Sequence, residues 1–110
     1  MSDNALQLAI RQLAFGASLT VAESSEAFGV IMRGEATPAR VAGLLMALRV
    51  KGEAIDEVAG AAWALRAAMV HLDAADPAAL VDTCGTGGGT ITTFNISPAA
   101  GLLAAGLGVR

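Results

Sequence analysis

Residues 81–98 read VDTCGTGGGTITTFNISP. Four glycines, Gly85, Gly87, Gly88 and Gly89, stand among threonines, an asparagine and a serine, with one acid and no base. Just before them Leu80 and Val81 read as a short strand. After them Ser97-Pro98 opens a helical run to about Leu107, which Gly108 ends. Val109 then looks like the first residue of another strand. Strand, glycine loop and helix N-terminus together make an anion site. Free N–H groups point at the ligand, the helix dipole favours negative charge, and glycine lets the backbone come close. Thr86, Thr92, Thr93, Asn95 and Ser97 add neutral donors. This chemistry suits a phosphate or pyrophosphate, with a metal shared by a hydroxyl. The loop is not a P-loop, because no lysine follows the glycines. It is not the dinucleotide fingerprint either, because the third glycine and the later acid are missing.

Upstream the texture is different. Leu6, Ala9, Ile10 and Leu13 lie on one helical face that closes at Gly16. Thr20-Val-Ala-Glu23 is a capping box. The helix it opens should run to Gly34 and bury Ala27, Phe28, Ile31 and Met32. Thr37-Pro38 opens a third helix, with Val41, Leu44, Leu45 and Leu48 inward and Gly52 as its stop. Arg49 and Lys51 suit the negative end of that helix. A fourth starts near Asp56-Glu57, and its face is expected to be Val58, Ala61, Ala62, Leu65 and Met69. Four amphipathic helices joined by short turns predict a bundle over residues 1–75. The break at Asp76-Pro77 leads into the start of an α/β domain over residues 78–110. The expected class is therefore α/β overall, with an all-α bundle first. One strand cannot make a sheet, and parallel strands need crossovers. The chain therefore reads as an N-terminal fragment that stops inside the second domain.

Composition narrows the function. Of 110 residues 55% are hydrophobic and 15% charged, so the chain has surface enough to bury. Some of that surface is expected to meet a partner chain or a further part of the protein. The net charge is −3 and the seven basic residues are scattered, which gives polyanions such as nucleic acid no general attraction. Cys84 is the only cysteine, so no disulfide can form within the chain. With no basic and apolar leader at Met1–Gln7, this points to a reducing, cytoplasmic setting without a membrane anchor. The apolar flank predicts a small buried thiol at Cys84. His71 reads as a charge at the end of the fourth helix, and Trp63 and Phe28 as packing or interface residues. Asp82 either orients the loop by accepting from its amides or simply caps it.

Gly85-Thr86-Gly87-Gly88 with Thr93-Phe94-Asn95-Ile96-Ser97 resembles the signature of the anthranilate phosphoribosyltransferase family. LLMALRVKGEAIDEVAGAAWALR (Leu44–Arg66) is similar to that family's N-terminal helical domain, within the fold of glycosyltransferase family 3 and the class II nucleoside phosphorylases. The resemblance implies transfer of the phosphoribosyl group of phosphoribosyl pyrophosphate to anthranilate, the second step of tryptophan biosynthesis, with Mg²⁺. It also implies a homodimer through the helical domain. Gly85, Gly88, Gly89, Thr93, Asn95, Ile96, Ser97 and Pro98 would line the phosphoribosyl pyrophosphate site. Ser97 would be a Mg²⁺ ligand, and Gly85 would also border anthranilate. No side chain is implied as acid, base or nucleophile. Two positions depart from the family: Gly89 where Asp is usual, and Pro98 where Thr is usual. The family's later elements for anthranilate and a second metal are not in this sequence, so these residues alone are expected to be inactive. A pyrimidine nucleoside phosphorylase-like enzyme is the second enzymatic reading, though the lysine and serine usual in its loop are missing. A catalytically dead dimerisation relative is the non-enzymatic one.

Overall fold

A computed structural model describes residues 3–85 and 96–110. They form two compact units, Met1–Val70 and His71–Arg110. The first holds four helices: α1 (Asp3–Ala14), α2 (Val21–Met32), α3 (Pro38–Lys51) and α4 (Ile55–Ala68). The second holds a single 3-10 turn at Pro77–Ala79 and α5 (Ile96–Gly106).

The helix boundaries follow from local chemistry. At the start of α2 the Thr20 hydroxyl accepts from the Glu23 amide, and the Glu23 carboxylate accepts from the Thr20 amide at 2.8 Å. Those bonds satisfy donors that a helix start leaves open. The Thr20 amide, and the Thr20 hydroxyl donating at 2.8 Å, hold the Glu23 carboxyl below its usual range. Thr37 caps α3, with Pro38 at its first position. α1 is followed by Gly16 at φ 78° and α3 by Gly52 at φ 86°, a backbone that other residues rarely adopt.

Leu6, Ala9 and Leu13 of α1 meet Leu19, Ala27 and Val30 at and within α2, and Leu44 and Leu48 of α3, in one core. Ile10, Phe28 and Ile31 pack on its edge. Met32 and Leu45, expected inside, are instead 40% and 50% exposed.

α4 turns the opposite way from its hydrophobic pattern. Its buried residues are Glu57, Gly60 and Ala64, whereas Val58 is 57% exposed and Ala62, Leu65 and Met69 also face outward. Size decides this seam rather than hydrophobicity. α2 and α4 approach so closely that a methyl group at Gly60 would collide with the Val21 carbonyl and come within 2.6 Å of the Ser24 Cβ. The small face takes the inside, and the bulky face is left on the surface.

A buried polar hub closes the bundle. Glu57 is 1% exposed. Its carboxylate accepts from the Leu19 amide at 2.9 Å, the Ala54 amide at 2.7 Å and the Lys51 ammonium at 3.0 Å. Its backbone carbonyl accepts from the Ser24 hydroxyl at 2.7 Å. Burial works against the charge, but the two amides and the ammonium outweigh it, and the carboxyl titrates below its usual range. Lys51, read from sequence as a dipole counter-charge, is the hub's cation and also donates to the Gly52 carbonyl at 2.7 Å.

In the second unit no described residue is buried. One helix and one extended segment cannot enclose a core. Leu80 is extended, and the Val81 amide donates to the Arg110 carbonyl at 2.8 Å. A lone bond is not a ladder, so the strands expected at Leu80–Val81 and from Val109 are absent among the described residues. α4 ends at Ala68, which leaves His71 beyond its last turn.

Candidate functional site

The segment Val81–Gly85 runs beside the start of α5. Asp82 folds back on its own chain, its carboxylate accepting from the Cys84 amide at 2.8 Å. This is the local turn that aspartate favours; among the described residues it fixes the backbone just ahead of the glycines. The Thr83 hydroxyl donates to the Ser97 carbonyl at 3.1 Å. Gly85 also lies against Ser97: a Cβ at this position would come 3.3 Å from the Ser97 Oγ. Thr83, Cys84, Ser97, Pro98 and Gly101 line an open groove of about 670 Å³.

Of the expected site residues the structure brings Gly85 and Ser97 together and places Ile96 and Pro98 on the same first helical turn. The opening turn of a helix carries N–H groups with no partner inside the helix. Pro98 contributes none. Gly88, Gly89, Thr93 and Asn95, with Thr86 and Thr92, lie outside the described residues. Cys84 is exposed rather than buried, since α5 alone cannot cover it. Among the described residues its thiol donates to the neighbouring Gly85 carbonyl, at 3.5 Å.

Ser97 offers a half-buried hydroxyl with Gly85 beside it, and the walls carry the Asp82 carboxylate and no basic side chain. Among the described residues no group of three or more His, Cys, Asp or Glu could hold a metal by itself. Such a donor set fits Mg²⁺ carried by phosphate oxygens and waters, to which the protein adds a single hydroxyl. Sequence reading passed over Thr83. The available sign was Gly101, a glycine one turn after Ser97 in an otherwise helical run, which marks a close neighbour.

The helical bundle domain of the glycosyl transferase family matches residues 7–69, and the a/b domain of the same family matches residues 77–110. An anthranilate phosphoribosyltransferase of Chelativorans sp. (strain BNC1) is 49% identical over 94% of this chain and 30% of its own length. Its namesake in Beijerinckia indica is 51% identical over 91% of this chain and 29% of its own length. The one in Geobacillus stearothermophilus is 45% identical over 96% and 30%. The chain thus spans about 30% of the length of the curated relatives it matches. No solved structure gives a significant match. No helix among the described residues is long and apolar enough to cross a membrane.

Proposed function

Because the chain belongs to the glycosyl transferase family through both its helical bundle and the start of its a/b domain, we propose that the protein carrying it is an anthranilate phosphoribosyltransferase. It would move the phosphoribosyl group of phosphoribosyl pyrophosphate to the amine of anthranilate, in the tryptophan branch of the cytoplasm. The bond from ribose C1 to pyrophosphate breaks, a bond from C1 to the amine nitrogen forms, and the amine gives up a proton.

The observation that carries this reading is the approach of bare Gly85 to the Ser97 hydroxyl at the start of α5. A bulky, highly charged leaving group needs close backbone and small neutral donors. It needs little proton transfer from side chains, because pyrophosphate leaves readily. Amides and hydroxyls fixed around it stabilise charge as it develops. Ser97 would hold Mg²⁺, which when bound neutralises part of the pyrophosphate charge. Gly88, Gly89, Thr93 and Asn95 belong to the same proposed site, and Gly85 would border anthranilate as well. The exposed apolar residues Leu45, Met46, Val58 and Leu65 support a homodimer through the helical domain.

Calorimetry of the full-length protein with Mg²⁺ and phosphoribosyl pyrophosphate, followed by an anthranilate assay, tests the proposal. Binding with anthranilate consumption and pyrophosphate release is the expected result. Absence of binding, or phosphate-dependent cleavage of a nucleoside instead, overturns it.

A further inference from the structure

We propose that Thr83 is a positioning residue whose hydroxyl clamps the first turn of α5, and with it the Ser97 side chain, to the segment entering the glycine loop. This rests on the reading of the groove as the phosphoribosyl pyrophosphate site. The Thr83 hydroxyl donates to the Ser97 carbonyl at 3.1 Å, across 14 residues of chain. One turn further along α5, a Cβ at Gly101 would stand 3.3 Å from the Thr83 Oγ1. Thr83 thus sits in a notch between a carbonyl and a bare glycine. Two residues on, Gly85 passes beside the Ser97 hydroxyl itself. The short segment 83–85 therefore grips Ser97 twice, once by its backbone and once by its side chain's surroundings.

The direction of the hydrogen bond sets the role. Thr83 has one hydroxyl proton, and the Ser97 carbonyl takes it. Only lone pairs remain toward the groove, and these repel a phosphate. Thr83 therefore acts on an anionic ligand through Ser97 rather than by touching it. Its branched side chain has few rotamers, which makes the clamp stiff.

Thr83→Val keeps the shape and removes the donor, whereas Thr83→Ser keeps the donor. In the full-length protein, Thr83→Val should weaken binding of Mg²⁺-phosphoribosyl pyrophosphate by about five- to tenfold, the worth of one hydrogen bond. Without ligand it should also speed amide exchange several-fold at Ala100–Leu102. Thr83→Ser should stay within about twofold of the parent on both measures. Gly101→Ala provides a second variant. It should make α5 a better helix, since alanine exceeds glycine there, yet lower the affinity by pushing on Thr83. Stability and binding then move in opposite directions, which a purely structural role does not give. Unchanged exchange in Thr83→Val overturns the inference even if the parent protein binds no phosphoribosyl pyrophosphate, a result that separately sinks the proposed function. Equal losses in Thr83→Val and Thr83→Ser overturn it as well.

Discussion

Adding one methyl group at Gly60 tests how α2 and α4 meet. An ideal Cβ there would strike the Val21 carbonyl and lie 2.6 Å from the Ser24 Cβ and 2.9 Å from the Ser25 amide nitrogen. Unstrained carbon contacts lie near 3.5–4.0 Å, so the helices would have to part by roughly 1 Å. None of the three atoms is the end of a flexible side chain, so none can swing away. Overpacking of this kind costs about 1–3 kcal/mol. Separation also pulls on the bond from the Ser24 hydroxyl to the Glu57 carbonyl at 2.7 Å, worth about 1 kcal/mol. Against this, alanine improves the helix by about 1 kcal/mol. The balance is a loss of about 1–3 kcal/mol, or about 4–8 °C in Tm for each kcal/mol. Gly29→Ala is the matched control. Its Cβ would meet only the Arg33 Nη1, at 3.1 Å, and a long side chain can move aside. That variant should gain up to about 1 kcal/mol. Urea unfolding of the 110-residue chain, followed by helical circular dichroism, measures both. Equal stability of Gly60→Ala and the parent, with Gly29→Ala stabilised, would refute the close-packed seam.

The Glu57 hub gives a pH dependence of known sign. Its carboxyl is depressed below the ordinary 4.5, so its contribution is full above that value and fades as pH falls through the folded-state pKa. Glu57→Gln should therefore be less stable at neutral pH and lose less on acidification, as pH-dependent urea midpoints will show. Lys51→Met strands a buried carboxylate and should cost roughly 3 kcal/mol by the same measurement. Gly89→Asp adds a carboxylate to the proposed site and should tighten Mg²⁺ there, read by calorimetry of the full-length protein at varied Mg²⁺. Cys84 is exposed beside Ser97 in the groove. A maleimide should label it readily in the 110-residue chain, as intact mass after a timed exposure will show.

Features that depend on neighbours along the chain were legible from sequence. Thr20 with Glu23, Thr37 with Pro38, and Gly16 and Gly52 all do what their local chemistry requires. The apolar face of α1 was equally plain, because Leu6, Ala9 and Leu13 have no competing stripe. α4 carries two candidate faces, and hydrophobicity selects the wrong one. The backbone of α2 comes nearer to glycine and alanine than any leucine would allow, and that gain is invisible in a hydropathy pattern. Glu57 read from sequence only as an acid at the start of the fourth helix. Its burial depends on Leu19 and Lys51, which reach it only through tertiary folding. At the groove, Gly85 and Ser97, both named from the sequence, do meet. Thr83 stayed hidden because its partner is a backbone carbonyl 14 residues away.

The hub has a consequence for how the bundle opens. Leu19 and Ala54 lie outside the helices, where amides ordinarily exchange through small local excursions. Here both are held by one carboxylate, which also takes the ammonium from the end of α3. Releasing either amide leaves a charge in the interior short of partners, so the three segments have reason to let go only together. Two loops and a helix end then behave as a single cooperative unit. Its slowest-exchanging loop protons would report the unfolding of the whole bundle rather than the fraying of its turns.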